Sequence, residues 1–489
     1  MALRSSVLVL TLAAGALGQS LDRRVENVLA DSKLRQIKAG VIIMDAQTGN
    51  VLAEHRSDEQ FIPASNMKLL TSGAALALLG PGFEFVTEII HDPSAGPAGR
   101  VVFRGSGDPT IADPKLLEKS KLTVNSVLER WVSAMKDAGV RPGAELVIDD
   151  RVFDREYVHP TWPVEQLNRW YCAEVSGVNF HTNLLWIFTE PLEVGRPPAI
   201  KTEPASPWLE IRNRARSVRQ GNQTAWAARD PKNNLTLHGD VRFANDPVEV
   251  ALTDIPNYLG RLLADRMGAA GIEPASVRLA AANETLAGGR VIHTITTPLA
   301  DVLRRCNVDS YNLYAEALIK RMGHEVTGAP GSWSNGSAVV RMVLQEKVGL
   351  DAGQAFTVAD GSGMSRNNRV TPRALARWLR EMADDTKLAD AFIQSLPEAG
   401  EEGTLRRRFR GAGPKHEVRA KTGYLAGVSA ISGYITDPRT NRRLIFSIVT
   451  NDKPNRVQLT AIREAEEKII MLADAWFSQG ANPGAAGSR

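Results

Sequence analysis

Ser65 and Lys68 stand three positions apart in Pro63-Ala64-Ser65-Asn66-Met67-Lys68, directly ahead of the apolar run Leu69 to Leu79 that Gly80-Pro81 ends. If that run is a helix, positions i and i+3 share a face, and the hydroxyl and the amine sit side by side in its first turn. A serine is a weak nucleophile until a base takes its proton, and a lysine serves once burial and a nearby positive field depress its pKa. A helix N-terminus supplies such a field and favours an oxyanion. The pair therefore reads as an activated serine. The same spacing recurs at Ser133-Ala134-Met135-Lys136, but inside the predicted amphipathic helix Val124 to Ala138, with no exposed helix start behind the hydroxyl.

Two further groups could join this chemistry. Lys421-Thr422-Gly423 lies on a predicted strand, where a lysine and a hydroxyl suit a substrate carboxylate and a glycine lets ligand backbone approach closely. Its plainer reading is an edge lysine before a turn. Ser310-Tyr311-Asn312 opens the helical run Asn312 to Met322, and its plainer reading is a helix cap. Ser365-Arg366-Asn367 has the same pattern but lies beside the glycine loop Asp360-Gly361-Ser362-Gly363, not at a helix start.

In the order SxxK, SxN, KTG the three motifs together resemble those of the penicillin-recognising serine enzymes. Ser65 and Ser310 are 245 positions apart, and Asn312 and Lys421 are 109 apart. Class A β-lactamases differ, because their first two motifs are close together. The long gap is similar to that of peptidase family S13, the D-alanyl-D-alanine carboxypeptidase/endopeptidase family of low-molecular-mass class C penicillin-binding proteins. Gly105-Ser106-Gly107-Asp108-Pro109, Asp309 to Glu316, Asp360 to Arg366 and Gly427 to Tyr434 are also family-like, so the resemblance runs from Val41 to Asn451.

The resemblance implies a role for each matching position. Ser65 is acylated by the penultimate D-Ala carbonyl carbon, Lys68 is its general base, and Ser310 relays the proton to the leaving D-Ala amine. Asn312 holds the substrate amide, while Lys421 and Thr422, beside Gly423, hold the terminal carboxylate. Backbone N–H groups of Ser65 and Tyr424 form an oxyanion hole, where each donor is worth about 2.7–4 kcal/mol. Relatives usually carry a small residue at the position of Tyr424, whose ring could narrow the cleft or stack on the substrate. By the same analogy Asp149, in the pair Asp149-Asp150, together with Arg366 and Leu425, contacts the side chain of the stem peptide. The implied substrates are peptidoglycan stem peptides ending in D-Ala-D-Ala, with β-lactams as covalent inhibitors and no cofactor. A β-lactamase or esterase on the same fold, and a penicillin-binding sensor without turnover, are the alternatives.

These residues need a scaffold, and 489 residues exceed one core, so two or three folding units are expected. Hydrophobic residues at 43% and charged residues at 23% exclude a disordered or multi-span membrane chain. Lys and Arg total 59 against 55 for Asp and Glu; a formal +4 with no basic block gives nucleic-acid binding no support. A charged start, an apolar run from Val7 to Leu17 and small residues before Gln19 describe a secretory signal over residues 1–18, cleaved after Gly18. The expected product is an exported protein of the periplasm or cell envelope, with at most peripheral membrane contact. Cys172 and Cys306 read as two unpaired buried thiols, and the eight histidines show no metal-ligand spacing.

Residues Val25 to Lys38 are expected to be helical and Val41 to Ala53 a hairpin. Val418 to Gly423, Val428 to Ile435 and Leu444 to Thr450 read as strands, and Leu459 to Phe477 as an amphipathic helix. Between them lie strand-like runs at Val101, Leu146, Trp208 to Ile211 and Leu235, with helices Val124 to Ala138 and Tyr258 to Ala270. The expected fold class is therefore α+β. A transpeptidase/β-lactamase-like domain, an antiparallel sheet flanked by helices, uses residues 21–83 and 298–479. Residues 84–297 form an α+β insertion, and 480–489 a disordered tail.

Overall fold

The computed structural model describes residues 20–244, 246–349, 355–411, 413–452 and 457–480. The leader expected at 1–18 lies outside them. The elements that matter here are α1 (Leu21–Leu29), β1 (Lys38–Asp45), β2 (Val51–His55), α2 (Met67–Leu79), β3 (Glu84–Asp92), β4 (Arg100–Arg104), α3 (Val124–Asp137) and β5 (Glu145–Asp149). They continue with β6 (Leu184–Glu190), α4 (Ile255–Ala269), β7 (Ser276–Leu279), β8 (Arg290–Pro298), α5 (Leu299–Val308), α6 (Asn312–Thr327), α7 (Trp333–Val348) and α8 (Pro372–Asp384). Strands β9 (Glu417–Leu425), β10 (Val428–Thr436) and β11 (Arg443–Asn451) and helix α9 (Leu459–Gly480) complete the set.

The chain divides into two compact units. One comprises the chain up to Ala77, Asn307–Ser310 and the chain from Arg341 onward; the other comprises Leu78–Cys306 and Tyr311–Val340. The stretch 84–297 falls wholly in the second, which also takes 78–83, 298–306 and 311–340.

The first unit is built on a five-stranded sheet in the order β9-β10-β11-β1-β2, antiparallel throughout. β1 inserts the N-terminal part of the chain beside β11, with Lys38 opposite Asn451 and Asp45 opposite Leu444. Its strands read as apolar runs because both faces are covered. Val25 and Val28 of α1 and Ile469, Ala473 and Phe477 of α9 pack with Val41, Ile431 and Phe446 on one face. On the other, α8 is tied to β10 by the Tyr434 hydroxyl, which donates to the Leu379 carbonyl at 2.7 Å. α2 is apolar on all sides, the composition of a helix in a core, and Met67 to Leu76 are all buried. Trp378 of α8 donates its indole N–H to the Leu69 carbonyl at 2.9 Å, and a Cβ on Gly73 would meet that indole at 2.7 Å.

The second unit is organised by a mixed sheet in the order β7-β5-β4-β3-β8, in which β5 runs parallel to both β4 and β7. Leu128, Trp131 and Met135 of α3 and Leu259, Leu262 and Leu263 of α4 cover it.

Four sequence expectations are corrected. The helix expected over Val25–Lys38 is α1, which ends at Leu29; Asp31 then caps a separate 3₁₀ turn, accepting from the Lys33 N–H at 2.9 Å, and β1 starts at Lys38. The strand expected at Trp208–Ile211 begins only at Ile211, because Leu209 turns back onto Ser206 and the Trp208 ring lies 5.0 Å from the Arg261 guanidinium. Helix α6 continues past Met322 to Thr327, where Gly328 takes φ +68°. Gly480, assigned to the tail, ends α9, and 481–489 lie outside the described residues. Neither cysteine is in a disulfide, and both are buried.

Candidate active site

Ser65 lies in a 3₁₀ turn, Ala64–Asn66, that runs straight into α2, two residues ahead of the first α-helical residue, Met67. Lys68 is the second helical residue and is 0% exposed. The i, i+3 spacing survives the change of helix type: the Lys68 Nζ is 3.0 Å from the Ser65 Oγ. The amine also donates to the Ser362 carbonyl at 3.0 Å. One turn along the same face, the Thr71 hydroxyl donates to the Gly361 carbonyl at 2.8 Å.

Those carbonyls belong to the glycine loop 360–365, which is held from within. Asp360 accepts the N–H of Gly363 at 2.8 Å and of Ser365 at 2.6 Å, and Asn368 donates to it at 2.7 Å. Gly363 has φ +85°, and a Cβ there would meet the Ala64 carbonyl oxygen at 1.8 Å. The glycine is what lets the loop close on the serine turn. The rival pattern Ser365-Arg366-Asn367 is part of this loop.

The KTG strand closes the other side. A Cβ on Gly423 of β9 would lie 2.8 Å from the Pro63 carbonyl oxygen and 3.0 Å from the Ser65 nitrogen. Strand backbone therefore runs against the backbone of the nucleophile turn, an approach only glycine permits. Lys421, two residues back and 0% exposed, donates to the Ser310 Oγ at 2.8 Å and to the Thr422 carbonyl at 2.8 Å. Thr422 is half-buried, and Tyr424 projects its ring, 55% exposed.

Ser310 sits between α5 and α6 at φ +59°, an unfavourable conformation for a residue with a Cβ. It is no helix cap: the residue at the cap position of α6 is Tyr311, which makes no capping bond. Asn307, buried at 0%, holds this turn in place. Its Nδ2 donates to the Ser72 Oγ at 3.1 Å and the Ser395 Oγ at 2.9 Å, and Ser72 in turn donates to the Lys68 carbonyl at 2.5 Å. Two hydrogen bonds thus run from the Lys68 carbonyl through Ser72 to Asn307, three residues before Ser310. Sequence reading missed Asn307, the Ser362 carbonyl and Gly363; the Asp-Gly-Ser-Gly string was the one available signal.

Ser65, Lys68, Ser310, Lys421 and Gly423 are thereby brought together within the first unit. Asn312 belongs to the second, where its Nδ2 donates to the Tyr171 carbonyl at 2.7 Å. Arg366 and Leu425 share one end of β9: Arg366 donates to the carbonyl of Ala426, next to Leu425. Asp149, in the second unit, is 6% exposed and accepts from Arg151 at 2.7 and 3.0 Å. Burial pushes its carboxyl up, but Arg151 outweighs burial and holds it below the usual carboxylate range. Its neighbour Asp150 is likewise engaged, by Arg155 at 2.7 Å and the Tyr157 hydroxyl at 2.7 Å. The decoy Ser133 and Lys136 are exposed on α3.

A buried amine touching a half-exposed serine hydroxyl, with a second lysine–serine pair on the adjoining turn and strand, is equipped to move a proton off one oxygen and deliver it elsewhere. Residues 21–474 match the D-Ala-D-Ala carboxypeptidase 3 (S13) family. The D-alanyl-D-alanine carboxypeptidase of an Actinomadura species is 32% identical over 461 residues, covering 90% of this chain and 82% of its own. That of Haemophilus influenzae is 23% identical over 416 residues, covering 82% of each. Among solved structures, penicillin binding protein 4 of Haemophilus influenzae aligns with a TM-score of 0.75 at 20% identity, over 92% of this chain and 99% of its own, and shows the same α+β fold. The chain belongs to the S13 family and is a serine-type D-Ala-D-Ala carboxypeptidase.

Proposed function

We propose that this S13 member is exported and trims peptidoglycan stem peptides through an acyl-enzyme on Ser65. The observation that carries the assignment is the 3.0 Å contact between the buried Lys68 amine and the Ser65 hydroxyl. Lys68 takes the hydroxyl proton as Oγ attacks the carbonyl carbon of the penultimate D-Ala, and the N–H groups of Ser65 and Tyr424 stabilise the oxyanion. Collapse breaks the C–N bond, and the proton that Lys68 took from Ser65 is relayed by the Ser310 hydroxyl to the departing D-Ala nitrogen, leaving Lys68 neutral again and Lys421 charged. Water then hydrolyses the ester and regenerates Ser65.

Asn312 receives the substrate amide, and Lys421 with Thr422 receives the terminal carboxylate. A β-lactam acylates the same oxygen by opening its ring amide. Arg366 and Leu425, which meet at the end of β9, are candidates for the stem-peptide side chain. Asp149 joins them only by exchanging Arg151 for an incoming amine. The leader-like segment 1–18 supports export to the periplasm or cell envelope, where this substrate lies.

Incubation with labelled penicillin followed by peptide mapping tests the site: label on Ser65, absent in Ser65→Ala, is expected, and label on Ser133 would sink the assignment. Mass spectrometry of monomeric and cross-linked stem peptides reads the rest. Release of free D-Ala marks carboxypeptidase action and excludes a sensor without turnover, while cleavage of the cross-link marks endopeptidase action. Rapid hydrolysis of penicillin without D-Ala release would favour a β-lactamase.

A further inference from the structure

The second unit contains a cavity of about 1060 Å³ that none of Ser65, Ser310 or Asn312 lines. Its wall is aromatic and held rigid. Tyr311 lies between the Arg305 guanidinium, 4.8 Å from its ring, and Trp170, 5.1 Å away, while Asp113 pins that guanidinium at 2.8 and 3.1 Å. Trp226 is 43% exposed, yet its ring is stacked on His238 at 4.6 Å and 16°. An exposed indole immobilised flat is a platform whose ordering cost is already met. Trp186 also lines the cavity, packed edge-on against His181 at 5.3 Å, and its buried indole N–H has no acceptor among the described residues. A ligand oxygen would remove that penalty.

The polar lining is nearly balanced, with four carboxylates against three cations. An anionic polymer selects a cationic excess, which is missing here. The arrangement suits a neutral ligand with flat apolar faces and many hydroxyl and amide groups. Glu249 is exposed in the lining, and Glu203 faces His181 at 3.5 Å. Both can accept from hydroxyls.

We infer that this cavity binds the glycan of peptidoglycan, an N-acetylated aminosugar disaccharide stacking on Trp226 with hydroxyls on Glu203 and Glu249. The inference rests on the reading of the chain as a peptidoglycan enzyme and adds a second contact with the same polymer. The volume is at the upper end of ligand sites, which run to about 1,000 Å³.

The test titrates the full chain with the N-acetylglucosaminyl-N-acetylmuramic acid disaccharide whose lactyl carboxyl is capped as the simple amide, neutral as it is in the polymer, followed by ligand-observed NMR and tryptophan fluorescence. Saturable binding with a Kd of about 0.1–5 mM is expected, a modest affinity for a small polar ligand. Trp226→Ala should weaken it at least about fivefold and Glu249→Gln about twofold, in proteins whose circular dichroism and melting temperature are those of the wild type. No saturation up to about 10 mM, or a Kd that neither variant moves, overturns the proposal. Disaccharide binding without D-Ala release would instead overturn the carboxypeptidase reading and leave this site standing.

Discussion

Lys68 in the first unit and Lys320 in the second are both 0% exposed, and they face opposite kinds of neighbour. Lys320 donates to the Asp154 carboxylate at 2.7 Å and the Glu156 carbonyl at 2.7 Å, and lies 3.9 Å from the centre of the Trp333 ring. Burial lowers its pKa while Asp154 resists, so the amine is held as one half of an ion pair. Lys68 instead contacts a hydroxyl and a carbonyl. The same pattern extends outward: buried Asp113 in the second unit is consumed by Arg305 and the Tyr314 hydroxyl, whereas Lys421 in the first faces the Ser310 hydroxyl. In the second unit these buried charges bolt elements together; at the first unit's site they face oxygens that can exchange protons, although elsewhere in that unit buried Arg408 still pairs with Glu466 at 3.1 Å.

The sharpest way to break that contrast is to remove each amine. Lys68→Met should slow acylation of Ser65 by labelled penicillin about 10³–10⁴-fold, the upper range for a general base. Lys320→Met should leave acylation intact below its melting temperature and cost about 1–3 kcal/mol of stability in thermal unfolding, because Asp154 loses its charged partner. Equal loss of acylation in both variants would end the distinction.

A titration probes the second unit alone. Burial pushes the Glu174 carboxyl from 4.5 up to about 7, with the Asp254 N–H, 2.6 Å away, and Arg229 drawing it back. Below pH 4.5 the group is protonated whether folded or not and costs nothing. As pH rises towards 7 the unfolded chain ionises first, so stability should fall by up to about 3 kcal/mol. Denaturant unfolding at pH 4.5 and 7.5 reads the difference, which Glu174→Gln should abolish.

For the first unit, Lys421→Ala should reduce kcat/KM on a peptide ending in a free carboxylate by roughly 10–100-fold, the worth of about 1.5–3 kcal/mol for a charged hydrogen bond. Activity on the C-terminally amidated peptide should fall far less. The smallest effect belongs to Asn307→Leu, which cuts the path from α2 to the Ser310 turn. Acylation at 20 °C should slow about tenfold through misplacement of Ser310, with non-covalent substrate affinity unchanged.

Much of the site is legible in residue spacing. Ser65 and Lys68 meet because three positions on a helical turn bring two side chains to one face, and this holds even though the turn is 3₁₀ where an α-helix was expected. Strands β9, β10 and β11 were readable as apolar runs bounded by turns. The expected Val25–Lys38 helix failed because Asp31, a cap in the middle of a helical-looking pattern, starts a new turn. The resemblance marked Asp149 as a stem-peptide contact, and only the structure shows Arg151, two residues on, paired with it. The Ser362 carbonyl was invisible to motif reading because a backbone oxygen carries no residue identity, and Asn307 because a buried amide resembles any other core residue.

By itself the sequence determined the reacting groups, their order along the chain and the type of most elements, since each depends on neighbours within a few residues. Tertiary structure alone decided that Lys421 meets Ser310 across 111 positions and Lys68 meets the Ser362 carbonyl across 294. No local preference encodes such contacts. They arise when β1 inserts beside β11 and α2 packs on α8, and the apolar burial that drives this offsets the entropy of closing the loops between them.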